Sequence, residues 1–277
     1  MVRPTVFLAV VLPFLSTGPN LAAADIKFEA QYSVSLIGIP IGRGAFIIEI
    51  AENGYSAAGS ATVTGLLKLV APGKGFATAR GKIVDGKVLA ADYSSSSESG
   101  KRSEEINIAL VAGIVRNFSV YPPTRHSSER VPVTEEHRMG VVDPMSAAIM
   151  PLPGNGEFTG ANACKRTISI FDGRNRYDLV FNHERTEQAK EVKGYSGPLA
   201  VCRVTYRPIA GHRPDREQVK KMVENKDIYT WLAPIAGTRV LVPVRVSVAT
   251  TLGALVVQAT RFSSKTRLRA NASPPVK

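Results

Sequence analysis

Few residues in this chain could carry chemistry. Two cysteines stand beside bases: Cys164 precedes Lys165 and Arg166, and Cys202 precedes Arg203. Neighbouring positive charge stabilises a thiolate, the form that attacks electrophiles or binds metal. A metal site needs further ligands at a suitable spacing. The histidines, His126, His137, His183 and His212, form no H-x-x-x-H pattern, and the cysteines form no C-x-x-C. No metal and no cofactor is therefore expected. A serine hydrolase would show a G-x-S-x-G elbow. Gly194-Tyr195-Ser196-Gly197 has the wrong spacing and reads as a turn. Nothing in the sequence ties His183 or His212 to Asp143. Glu104-Glu105 and Glu135-Glu136 are adjacent pairs on β-type segments, where neighbours point to opposite faces, so neither is a facing acid/base pair. No catalytic residue is assigned.

The N-terminus indicates the compartment. Arg3 precedes an apolar run, Val6 to Leu15, and Ala22-Ala23-Ala24 offers a small-residue cleavage site. That is the pattern of a secretory leader, cut near Ala24. The run is too short for a bilayer span, which needs about 20 residues. An exported chain with an even pair of cysteines reads first as Cys164–Cys202 disulfide-bonded, with a redox-active thiol as the alternative. The expected location is the periplasm. The chain carries 35 Lys and Arg against 23 Asp and Glu, a net +12, of which a leader ending near Ala24 would remove only Arg3. That excess suits anionic lipid or glycan. Export argues against nucleic acid, and there is no zinc-finger spacing or aromatic RNP stretch to argue back.

The elements that must position these residues read as strands. Turn signals recur at Asn53-Gly54, Asp85-Gly86, Ser99-Gly100, Asp172-Gly173 and Ser196-Gly197. About a dozen β-rich runs lie between them, with no helices long enough for parallel crossovers. CKRTISIFDGRNRYDLVF (164–181) reads as a hairpin whose first strand is tied to the later strand GPLAVCRVTYRP. The expected fold is mainly β: one strongly curved antiparallel sheet, half-barrel or open-barrel-like, with two or three short helices. The helices are VTGLLKLV (63–70), DPMSAAIM (143–150) and DREQVKKMVENK (215–226). Asp143 and Pro144 make a helix start. The third helix has only Val219, Met222 and Val223 as an apolar stripe, which suits a surface position. PLPGNGEFTGANA (151–163) reads as an internal loop. The expected organisation is a leader at 1–24, one β-rich domain at 25–263 and a basic, disordered tail at 264–277.

Several strands, LVPVRVSVA, ALVVQA and AFIIEI, are apolar on both parities, and a strand of that kind needs cover on both faces. A sheet curved around LLKLV and DPMSAAIM would supply it. If these plugs leave space, the concave face is an apolar cavity suited to an acyl chain; if they fill it, it is a core. The residues placed at such a cavity are Leu66, Leu67, Leu69 and Ile149. Arg213, Arg216 and Lys220 are placed as bases at its rim, the last two sharing a helix face at i, i+4. A solvated basic helix face is the plainer reading of those three.

The stretches YSVSLIGIPIGRGAF (32–46), GKIVDGKVLAADY (81–93) and VVDPMSAAI (141–149) resemble the bacterial domain-of-unknown-function family 3108. So do the cysteine hairpin, YSGPLAVCRVTYRPIAGHR (195–213) and WLAPIAGTRVLVPVRVSVATTLGALVVQATRF (231–262). The resemblance implies a proteobacterial envelope protein with no assigned activity. The patterning is similar to the curved half-barrel of periplasmic lipoprotein carriers. The expected function is non-enzymatic: an envelope protein, peripheral to the membrane at most, that binds a lipid-like ligand on a concave apolar face. The alternative is a scaffolding module for cell-wall glycan or another envelope protein. A hydrolase of envelope polymers comes third.

Overall fold

The computed structural model describes residues 24–268 apart from Asn53, His126 and Glu191. Residues 1–23, nearly all of the leader expected at 1–24, and residues 269–277 lie outside the described residues. Seven strands come first: β1 (Ala24–Leu36), β2 (Ile39–Ala51), β3 (Gly54–Val63), β4 (Gly73–Val84), β5 (Lys87–Ser99), β6 (Arg102–Val111) and β7 (Ile114–Tyr121). One helical turn, α1 (Leu67–Val70), lies between β3 and β4. A long excursion then carries the short strand β8 (Met150–Pro151) and the helical turn α2 (Ala161–Cys164). The second set is β9 (Arg166–Phe171), β10 (Arg176–Gln188), β11 (Pro198–Ala210), β12 (Ile228–Pro234), β13 (Val240–Thr250) and β14 (Gly253–Leu268). Helix α3 (Glu217–Glu224) joins β11 to β12.

All fourteen strands belong to one sheet, in the order β7-β6-β5-β4-β3-β2-β1-β14-β13-β12-β11-β10-β9, with β8 added beside β13. Each long strand is antiparallel to its neighbours. The two meanders meet where the first strand pairs with the last, from Ala24↔Leu268 to Leu36↔Leu255. The mainly β, curved antiparallel expectation therefore holds. The tail boundary does not: Ser264 to Leu268 continue β14, because β1 offers a full-length partner.

The sheet does not close by a β7–β9 ladder. The chain segment 139–142 lies in the gap instead. The Val141 N–H bonds the Gly113 carbonyl at 3.0 Å, and the Val142 N–H bonds that of Ser169 at 2.9 Å. Side chains complete the seam. Phe118 of β7 and Phe171 of β9 meet edge to face at 5.2 Å. Arg174 reaches Glu104 of β6 at 2.8 Å. The result is an open barrel zipped by packing.

Local chemistry explains the turns. Asp85-Gly86, Ala112-Gly113 and Ile37-Gly38 each have positive φ at both positions, the geometry that matches strand twist in two-residue hairpins. Of the strands apolar on both parities, β13 is covered on both faces over Val240–Val244, whereas ALVVQA (254–259) and AFIIEI (45–50) each bury one residue and are otherwise partly exposed. Val240, Val242 and Val244 pack with Phe28, Ile48 and Phe262, while Leu241 packs beside the cysteines.

Candidate functional site

The Cys164–Cys202 pair is a disulfide with a Cα–Cα distance of 5.4 Å. Both residues are fully buried. Cys164 lies on α2 rather than on the hairpin strand, because the chain makes a helical turn before β9 begins at Arg166. The bond fastens that turn to the inner side of β11.

Across the concavity runs the segment 143–151. Its start is held by Asp143, which is buried and accepts the N–H groups of Met145 and Ser146, both at 2.9 Å. The Ser146 hydroxyl donates to the other oxygen of the same carboxylate. Tyr55 of β3 and Ser146 are 2.6 Å apart, with the Tyr55 hydroxyl left as donor. Burial pushes the Asp143 carboxyl above the usual range, against the opposing pull of these hydrogen bonds. At its far end the segment becomes β8 and pairs with Leu241 and Val240 of β13. Asp143 thus starts a helical turn as its sequence implies, but the turn is 3-10 and spans only Ser146–Ala148. Pairing with β13 pulls the following residues into extended form.

This segment divides the interior. Between it, the inner wall of β9–β13 and α3 lies an apolar cavity of about 640 Å³, lined by residues including Ala148, Leu179, Val204, Tyr206, Met222 and Val248. A smaller space of about 250 Å³, bounded by Tyr32, Phe46 and Met145, adjoins it and shares Ala148, Pro243 and Val246. On the segment's other side lies a more polar cavity of about 730 Å³, its wall apolar over most of its area but edged with bases, which shares the Ala147 and Met150 wall with the first. Lys87, Lys165, Arg166 and Arg239 line it, with Glu157 as the one carboxylate. Arg166 is half-buried, and desolvation lowers its guanidinium pKa. It donates to the Pro151 carbonyl at 3.1 Å, while its Nε has no partner. Arg239 donates to the Gly156 carbonyl at 2.8 Å and lies over the Phe158 ring.

Only part of the residue set placed at a cavity from the sequence is found there. Ile149 lies in the dividing segment, packed among the buried residues and bordering the polar cavity. Leu66, Leu67 and Leu69 line none of these cavities. They form a loop at the sheet's end and are exposed. A link between adjacent antiparallel strands cannot cross the interior; the excursion between β7 and β9 is long enough to do so. Arg213 pairs with Glu129 at 3.4 Å. Arg216 and Lys220 are exposed on α3, whose inner side presents Gln218, Val219 and Met222 to the cavity. So α3 forms one side of a cavity wall with Gln218, Val219 and Met222, beyond the surface helix its narrow stripe implied.

The sequence missed Ala148, Tyr206, Val248, Lys87, Arg166 and Arg239. Alternation in RYDLVF and RVSVAT shows which residues share a face, but not whether that face is filled. The side-chain partner of Asp143 is Ser146, with Tyr55 one hydrogen bond further on, and no histidine among the described residues bonds it. Among the described residues, no three His, Cys, Asp or Glu side chains converge as a metal site. No helix among them is long and apolar enough to cross a membrane.

A family model described as "Protein of unknown function (DUF3108)" matches residues 28–260, in agreement with the resemblance read from the sequence. No curated protein matches the chain. One solved structure that it matches is the crystal structure of a β-barrel-like protein of the domain-of-unknown-function family DUF1849 from Brucella abortus. The match has 9% identity and a TM-score of 0.48, and it covers 87% of this chain and 98% of that one.

Proposed function

The chain belongs to the DUF3108 family, and from its geometry we propose a non-enzymatic envelope protein that binds an amphipathic, lipid-like ligand. The observation that carries this reading is the cavity of about 640 Å³ beside α3. A space within the range of about 300–1,000 Å³ typical of small-molecule sites, with almost wholly apolar walls, suits an acyl chain. Its polar lining residues are few, Gln218, Tyr206, Tyr177, Asp172 and Thr230 among them. Arg216, at the N-cap of α3, offers charge to an anionic head group near that wall, and Lys220 and Lys221 would do so by exchanging their present partners Asp215, at 4.0 Å, and Glu217, at 3.2 Å. The buried disulfide supports an oxidising, exported compartment, and the leader pattern favours the periplasm within that class.

Native mass spectrometry of the protein purified from an envelope fraction tests this. The expected spectrum contains an adduct that releases a lipid on activation. A bare chain that also fails to bind a fluorescent fatty acid removes the reading.

The polar cavity favours a second reading, in which an anionic glycan is held by Arg166 and Arg239. Both are built into the wall, and Arg166 has no carboxylate partner among the described residues. Binding of lipopolysaccharide fragments that is lost in Arg166→Gln, with fatty-acid binding absent, selects that reading.

A further inference from the structure

Three connections lie side by side at the end of the barrel where β1, β3 and β13 finish. They are the β1–β2 turn, the α1 loop and the β13–β14 turn. The Ile37 N–H bonds the Ala254 carbonyl at 3.0 Å, and the Thr64 N–H bonds the Ile41 carbonyl at 2.9 Å, so the three form one surface. Their tips are aliphatic. Leu66 is 85% exposed, Val70 81%, Leu69 80%, Leu252 68% and Ile37 64%. Single exposed apolar residues are ordinary, but a contiguous group marks an interaction surface.

Two further observations say what covers it. The first is charge. Arg43, Lys68, Lys101 and Arg102 are exposed around the tips and make no ion pair among the described residues, while Glu98 is taken by Lys74 at 3.1 Å. A two-fold contact between copies would set these bases against themselves, whereas an anionic surface neutralises them. The second is strain. Ile37 has φ of 52°, a conformation disfavoured for β-branched residues, in a turn position where Asn, Asp or Gly is preferred. Of the two comparable turns at the opposite end, one uses Asp85 and the other the small Ala112. Ile37 thus puts a large, β-branched apolar side chain at an exposed tip against the local backbone preference.

We propose that this end of the barrel docks on an anionic lipid bilayer, with the Ile37, Leu66, Leu69, Val70 and Leu252 side chains entering the interface and the surrounding bases meeting phosphate head groups. Docking is independent of whether the interior holds a ligand. It would, however, place the α3 end of the cavity near the membrane. Helix α3 hangs from this same end, where Asn225 donates to the Ala249 carbonyl at 2.8 Å.

The test is flotation of the disulfide-intact protein with vesicles of phosphatidylglycerol and phosphatidylethanolamine, set against vesicles of phosphatidylcholine. Binding to the anionic vesicles is expected, weakening as salt is raised. The Leu66→Asp/Leu69→Asp/Val70→Asp variant changes only exposed side chains and is expected to lose at least tenfold. Ile37→Asn is expected to bind less while its unfolding midpoint rises, because strain is relieved. No flotation with anionic vesicles overturns the proposal. So does binding unchanged in both variants, or a dimer that the same substitutions abolish without any vesicle binding. Fatty-acid binding in solution by the triple variant is expected to stay at the wild-type level, which separates this proposal from the cavity reading.

Discussion

Arg174, in the turn between β9 and β10, donates through its Nε and Nη2 to Glu104 of β6, each at 2.8 Å. These residues belong to opposite ends of the strand order. The same guanidinium donates to the Thr124 hydroxyl at 2.9 Å and the Pro122 carbonyl at 2.8 Å. One side chain therefore fastens three segments across a seam that has no continuous ladder.

Replacing Arg174 with Met keeps the stem and removes those bonds. Glu104 is partly exposed, so solvent already weakens the pair, and a loss of about 1 kcal/mol is expected. Urea unfolding measures it. Amide exchange in β6 and β7 should rise more than in β1 and β14, and uniform protection would contradict the role given to the seam.

Removing the disulfide with Cys164→Ala/Cys202→Ala frees a loop spanning 38 residues in the unfolded chain. The loop-entropy argument puts the cost at roughly 4 kcal/mol, less any unfolded-state structure. Both sulfurs are buried, so reductant should act only as fast as the protein opens. A loss below about 1 kcal/mol, with reduction instantaneous in native buffer, would show that the bond fastens nothing important.

Asp143 gives a pH dependence of definite sign. Its folded-state pKa is raised by burial, so the folded protein holds this proton more tightly than the unfolded chain. The ionised form is a penalty, fully present above the raised pKa and removed as pH falls below the ordinary aspartate value near about 3.9. The stability of wild type relative to Asp143→Asn should therefore increase as pH falls through that window. Paired urea titrations between acid and neutral pH measure the difference, and a pH-independent one contradicts the assignment.

Ala148 borders both apolar spaces, so a large side chain there occupies volume instead of removing a contact. Ala148→Trp is expected to weaken fluorescent fatty-acid binding at least tenfold while leaving the β-type circular dichroism unchanged. Equal binding in a folded variant places the ligand elsewhere.

Much of the fold was legible. Period-two alternation and turn residues act over a few positions, so strands such as RYDLVF and turns such as Asp85-Gly86 could be read directly. The both-parity runs announced double cover, and of the three only Val240–Val244 have it. Asp143 announced a helical start, and its carboxylate does hold the N–H groups of Met145 and Ser146. The Leu66, Leu67 and Leu69 assignment failed because an apolar loop has the same composition whether it is tucked inside or projects outward. Only the path of the chain between β3 and β4 distinguishes them.

By itself the sequence determined the element types, the single antiparallel sheet, the cysteine pair and the basic excess, since each follows from local propensity, composition or counting. Tertiary structure alone decided three things. It set β1 beside β14, so that Ala24 faces Leu268. It sent the 143–151 segment across the concavity. It brought Lys87, Arg166 and Arg239 to one cavity from β5, β9 and the turn before β13. These depend on summed strand twist and on contacts between residues far apart in the chain, which no short window of residues encodes.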